Sequence, residues 1–206
     1  MLDSVVIIGY SGHAYVIIET ALLAGIHIDG YCEVYEQSDN PYGLKYFGNE
    51  SVESFRWKDN RFYIVGIGDN IIRGKIAKRI SSNKGKFINL IHPSAQVSNT
   101  ARIGEGNFFN INVVVNAMVS IGSQCILNTG CIVEHESVIG DVVHIGPGAV
   151  LAGNVTIGDC TFIGANAVIK QGIRIGSNAV IGAGAVVIKD VADGDTVAGN
   201  PAKKIK

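Results

Sequence analysis

The chain has 206 residues, 47% of them apolar and 17% charged, with a net charge of −1. That length holds one large domain or two small ones with a sizeable core, and the near-neutral charge gives neither nucleic acid nor an anionic membrane a reason to bind. No run of about 18 apolar residues escapes polar interruption, so no membrane span is expected.

The opening Met1-Leu2-Asp3 has no basic stretch, which argues against a signal peptide. Four cysteines (Cys32, Cys125, Cys131 and Cys160) show neither CxxC nor metal-ligand spacing. They predict no metal site and fit a reducing cytoplasm.

Ser4–Tyr10 is a short apolar run closed by glycine, which reads as a buried strand. Ala14–Ala24 carries apolar residues at helical spacing and is stopped by Gly25. Ile28–Glu33 and Arg61–Ile67 read as further strands. Ile71–Ser82 reads as an amphipathic helix with Ile72, Ile76 and Ile80 on one face, and Phe87–Ile91 as a last strand. This alternation predicts a small, Rossmann-like parallel α/β domain over residues 1–91.

Its loops lie where open α/β sheets bind ligands, at the carboxyl ends of the strands. Ser11, Gly12 and His13 open the first helix, where a phosphate can sit on the helix N-terminus. The Gly9/Gly12 spacing is not the dinucleotide fingerprint, so a nucleotide diphosphate fits better than NAD. Glu33 ends the second strand, beside Val34. It is placed to bond a ribose hydroxyl or simply to be solvated. Gly68 and Asn70 follow the third strand, as a further ligand loop or as a turn with a helix cap through Asn70.

From Val97 to Val187 an apolar residue recurs at every sixth position, sixteen times in succession. A parallel β-helix has this period, because each flat side of its coil uses about six residues. Small side chains stand two places before the repeating residue, among them Cys125 and Cys131, which read as wall hydrophobes. Gly or Asn often stands one place after it, and is expected to occupy the corner in left-handed conformation. The predicted β-helix spans residues 92–206, with the α/β half covering the first coil and the C-terminal tail covering the last.

Between Asn107 and Ile188 only six residues are charged: Glu134, Glu136, Asp141, Asp159, Lys170 and Arg174. Two of them flank His135, just past the corner after Val133. An imidazole beside a carboxylate is suited to general base catalysis, although a solvated polar turn has the same composition. Glu136 can reach the ring only if the corner bends the chain, because neighbours on a strand point to opposite faces. His144 should point outward from a coil face, and Asn128 should occupy the corner preceding His135.

The hexads, the Gly-x-Ser-Gly-His loop and the Asn-Thr-Gly-(x)4-Glu-His-Glu element together resemble the left-handed β-helix acyltransferases. More narrowly, they resemble the PglD- and NeuD-like nucleotide-aminosugar N-acetyltransferases, with sialic acid O-acetyltransferases as close relatives. The resemblance implies acetyl-CoA as co-substrate and no metal. It implies His135 as general base, Glu136 as the carboxylate raising its basicity, and Asn128 near the reacting amine. It implies His144, Ala165 and Ala183 against acetyl-CoA. Ser11, Gly12, His13, Glu33, Val34, Gly68 and Asn70 are then expected around a nucleotide-sugar. A cytoplasmic homotrimer is expected, with its site between coils of neighbouring subunits.

The acceptor so implied is a UDP-linked 4-amino-4,6-dideoxyhexose of the bacillosamine type, or a related glycan precursor. A sugar O-acetyltransferase and a non-catalytic β-helix scaffold are the alternatives. The scaffold gives no reason for a Glu-His-Glu cluster in an otherwise uncharged coil.

Overall fold

The computed structural model describes residues 5–57 and 61–206. Its first unit alternates strands and helices: β1 (Val5–Ile8), α1 (Gly12–Leu23), β2 (Ile28–Cys32), β3 (Lys45–Tyr46), β4 (Phe62–Val65), α2 (Asn70–Ser82) and β5 (Lys86–Phe87). The sheet is parallel throughout, in the order β3-β2-β1-β4-β5.

Strand β1 is apolar at every position because both of its faces are covered. Val5 and Ile7 pack with Ile17, Ile18 and Ala21 of α1. Val6 and Ile8 pack with Ile76 and Ile80 of α2 on the opposite face. Ser4, included in this strand from its sequence, lies outside the described residues.

Several boundaries differ from the sequence reading. Helix α1 starts at Gly12, with Ser11 at the N-cap position but making no side-chain bond to the helix, and α2 is capped by Asp69, whose side chain accepts from the Ile72 N–H. Asn70 is thus the first residue of α2 and not its cap. The short edge strand β3 has no apolar alternation to announce it. Phe87–Ile91 is two strands rather than one. Lys86–Phe87 ends the α/β sheet, whereas Leu90–Ile91 pairs with Phe108–Phe109 and begins the coil.

From there the chain winds as a parallel β-solenoid with two-residue strands on three faces. Face I holds the strands from Leu90–Ile91 to Thr196–Ala198, face II those from Gln96–Val97 to Val186–Val187, and face III those from Arg102–Ile103 to Arg174–Ile175. Successive coils are joined by backbone bonds such as Ile126 N–H to Val143 O at 2.9 Å. Equivalent residues are 18 apart, shortening to 16 at the last step, where Ile181 pairs with Val197. The hexad residues from Phe109 to Val187 form one buried column, with Val97 and Ile103 of the first coil partly buried against it. Cys125 and Cys131 lie in its wall, where burial pushes both thiols up to about 12.

The corner expectation is corrected. Left-handed backbone falls three places after the hexad residue, at Asn112, Glu136, Val142 and Gly184 among others, and not one place after it. Glycine one place after the hexad meets a different demand. A Cβ on Gly158 would lie 2.5 Å from Ser177 N and 2.7 Å from the Gly176 carbonyl carbon of the next coil. Asparagine at the same place builds ladders instead, as from Asn110 Nδ2 to Asn128 Oδ1. On the corner between faces III and I, aspartates bind the preceding coil. Asp141 accepts from Ser123 N–H and Asp159 from Asp141 N–H.

The α/β unit does not lie over the end of the first coil, as the sequence suggested. It packs on the side of face I, where Leu90, Phe108 and Ile126 share a core with Ile17 and Tyr31. The last coils are covered by Thr196–Ala198 and the antiparallel Lys203–Lys204 strand, with Lys204 paired to Asp195 at 2.6 Å.

Gly158→Ala should destabilise the protein by about 1–3 kcal/mol, because the neighbouring backbone cannot yield as a side chain can. Chemical denaturation checks this; an unchanged midpoint would show that successive coils are not in tight contact at that corner.

Candidate functional site

The two helices that begin at the carboxyl edge of the α/β sheet differ at their N-termini. Asp69 caps α2 with its own carboxylate. At α1 the Ser11 side chain makes no capping bond, and the first turn carries no acid. Gly12 is exposed, with nothing within 4 Å of where a Cβ would stand. Only the α1 end therefore presents unneutralised backbone N–H groups to an anion.

Glu33 holds the loop beside this end. Its carboxylate accepts from Tyr10 N–H at 3.1 Å and from Val34 N–H at 2.9 Å. Val34 itself is exposed.

A second group lies where the α/β unit meets face I. His144 Nδ1 is 3.3 Å from Gly68 O, and its Nε2 is 3.3 Å from Asn128 Nδ2. Asn128 Oδ1 accepts from Thr129 N–H and Asn110 Nδ2, which orients the amide with Nδ2 towards the histidine. A carbonyl only accepts, so the network places the His144 proton on Nδ1. The ring stands edge-to-face with Phe162, and His13 of α1 lies 6.3 Å away between ring centroids. Burial holds both imidazoles down to about 4, aided by the charge of Arg73. Both are neutral at pH 7. His144 points outward from the coil as expected, but it ends against Gly68 and is half-buried. His13 Nε2 is buried without a hydrogen-bond partner.

Arg73 explains how the loop after β4 is fixed. It is 1% exposed. Its five N–H donors reach Gln124 O, Ile67 O, Gly68 O, Asn70 Oδ1 and Val142 O at 2.7–3.2 Å. Asn70 Nδ2 in turn donates to Cys160 O and Thr161 O. The sequence places the basic residues of α2 off the Ile72, Ile76 and Ile80 face, and nothing in their spacing singles out Arg73.

His135 lies elsewhere, on the corner between faces II and III. Glu136 has left-handed backbone, φ 60°, and this bend brings its carboxylate to 3.1 Å from His135 Nδ1. With its proton donated from Nδ1, the imidazole leaves Nε2 as a base. Glu134 accepts from Asn116 Nδ2 instead. Both His135 and Glu136 are exposed. The ring lies over Gly153 one coil further, whose missing Cβ would stand 2.6 Å from Nε2. Gly153 escaped the sequence reading, although a count of 18 from His135 finds it.

The structure thus gathers Ser11, Gly12, His13, Gly68, Asn70, Asn128 and His144 around one junction. It sets His135 and Glu136 on another corner, across face II. Ala165 and Ala183 stack one coil apart on the corner between faces I and II, the corner of Asn128. Among the described residues no cluster could hold a metal ion, and no helix is long and apolar enough to cross a membrane.

Residues 4–80 match the PglD N-terminal domain family, and residues 136–171 and 154–189 match the bacterial transferase hexapeptide (six repeats) family. The whole chain is similar to PerB of Caulobacter crescentus, solved with CoA and GDP-perosamine. Identity is 34%, with 100% of this chain and 99% of that one covered and a TM-score of 0.89. The acetyltransferase domain of PglB from Neisseria gonorrhoeae FA1090, solved with acetyl coenzyme A, is 35% identical over 98% of each chain, with a TM-score of 0.91. A segment of 44 residues is 48% identical to UDP-N-acetylbacillosamine N-acetyltransferase of Bacillus subtilis (strain 168); it covers 21% of this chain and 20% of that protein's length. The hexapeptide match identifies the solenoid as the left-handed type.

Gly153→Ala should push the His135 ring off the coil and break its bond to Glu136. A crystal structure of the variant checks this, and an unmoved ring would show that Gly153 plays no part in seating it.

Proposed function

The chain belongs to the PglD-like sugar N-acetyltransferases, a family that uses acetyl-CoA, and on that premise we propose that it acetylates the amine of a nucleotide-linked amino sugar with His135 as general base. The observation that carries the reading is the His135–Glu136 pair at 3.1 Å, a base held in one tautomer on an exposed corner. As the neutral amine attacks the thioester carbonyl, the N–C bond forms and the C–S bond breaks. His135 Nε2 takes the proton the amine loses, and returns one to the departing thiolate. Such a base contributes about 10²–10⁴ in rate.

The diphosphate is assigned to the uncapped start of α1, with Ser11, Gly12 and His13 around it. Glu33 and Val34 shape the adjoining loop, and Gly68 and Asn70 form the opposite wall. The thioester end of acetyl-CoA is assigned to His144, with Ala165 and Ala183 along its path. With its proton on Nδ1, His144 has no N–H for the oxyanion. That donor is a backbone N–H or Asn128 Nδ2, which keeps a second N–H.

His135 and His144 lie on either side of face II, so a single chain separates the base from the acyl site. The outward residues of face II include Val114, Ile132, Val150, Val168 and Val186, a β-branched stripe. A second copy covering this stripe would join the His135 of one subunit to the His144 of the next. A homotrimer repeats the junction three times and closes.

For the nucleotide we favour UDP, on the segment shared with the B. subtilis bacillosamine enzyme. The full-length likeness to PerB, solved with GDP-perosamine, supports a GDP-linked sugar as the second reading. A thermal-shift screen with UDP-, GDP- and dTDP-linked amino sugars distinguishes them, and failure of all three to bind would contradict the nucleotide-sugar reading. His135→Ala should lower kcat by about 10²–10⁴ with the oligomer intact. Activity within a few-fold of wild type would remove His135 as the base.

A further inference from the structure

We propose that Arg73 is a positioning residue for the acetyl site: by gripping Gly68 and the chain entering face I, it fixes the tautomer and orientation of His144. The assignment of a catalytic task to His144 rests on the function proposed above. The hold of Arg73 on the ring does not.

Arg73 is a buried cation with no carboxylate among its hydrogen-bond partners. Such a group is costly to bury, and a simple staple between two units is made more cheaply by apolar contacts. Leu90, Phe108 and Ile126 of the coil already make such contacts with Ile17 and Tyr31 of the α/β unit.

What the guanidinium adds is geometry. Nη1 binds Gly68 O at 2.9 Å, and that same oxygen faces His144 Nδ1 at 3.3 Å. Nη2 binds Val142 O at 2.9 Å, two residues before His144 on its own coil. One planar group therefore sets both the carbonyl that the ring addresses and the backbone from which the ring projects. A lysine has three donors and no such plane.

The field acts in the same direction. The groups facing His144 are His13 from α1, Arg73 from α2, and Asn128 and Phe162 from the coil. Burial first, and then the Arg73 charge, hold His144 neutral. A neutral imidazole has a single N–H, and Gly68 O draws it to Nδ1. Nε2 is left facing Asn128. The chain Arg73–Gly68–His144–Asn128 thus carries the geometry of α2 into the acyl site.

Full-length protein labelled with 15N-histidine tests this, with the His144 ring signals assigned by their loss in His144→Gln. Wild type should show the Nδ1–H form. Arg73→Lys keeps the charge and loses the fork. It should give a mixed or reversed tautomer and a kcat lower by about 10- to 100-fold, the scale of a displaced catalytic group. Asn70→Ala removes one of the five acceptors on a partly exposed residue, so it carries the test if Arg73→Lys does not fold. A smaller shift of the same signals is expected there. Unchanged His144 signals in the folded variants, with only a lower melting temperature, would overturn the proposal and make Arg73 a staple. The spectra need no substrate, so they decide this point separately from whether wild type acetylates an amino sugar.

Discussion

Everything in this molecule depends on the backbone ladder that joins each coil to the next 18 residues on. The ladder is parallel and unbroken on three faces, so each residue has a fixed neighbour above and below. A coil corner cannot shift by one residue without turning buried aliphatics outward. That rigidity lets Gly153 accommodate the His135 ring, Asn110 orient Asn128, and aspartates bind backbone N–H groups along another corner. It also allows a few functional side chains to be carried on two-residue strands and short turns.

The α/β unit is tied to this ladder through Arg73 and Asn70, which bond carbonyls of Gln124, Val142, Cys160 and Thr161. These carbonyls belong to the corner between faces III and I, and they anchor the β4–α2 loop. That loop meets His144, while α1 brings its uncapped N-terminus and His13 to the same junction. On the proposed reading, binding of an anion by the first unit and placement of an acyl group by the second would be parts of one packed arrangement. The low basicity of His13 and His144 follows from it, since both rings are largely withdrawn from solvent and lie near the Arg73 charge.

The solenoid was legible because its period of six is repeated so often, and because a buried column tolerates only apolar or internally bonded side chains. Its corners were less so. Glycine at Gly158 meets a close approach between coils, a tertiary fact, while left-handed backbone falls on residues as unlike as Glu136 and Val142. The Glu136 case matters most, since the bend that brings its carboxylate to His135 cannot be read from residue type. Arg73 was invisible for a related reason. Four of its five partners are backbone carbonyls, up to 69 residues away, and carbonyls leave no mark in a sequence. The expectation for the α/β unit is reversed, and it packs on the side of the coil, because the hexad period singles out only inward positions and gives no role to Phe108 and Ile126, each one place before a repeating residue.

The central claim is that the base and the acyl site of one reaction centre come from different copies of the chain. His135→Ala and His144→Ala subunits, each inactive alone, test it when unfolded and refolded together in equal amounts. Each mixed trimer then contains one junction with both histidines intact, so about a quarter of wild-type activity should return. No recovery on mixing, with mixed trimers shown to form, would place both histidines in the site of a single chain and contradict the account.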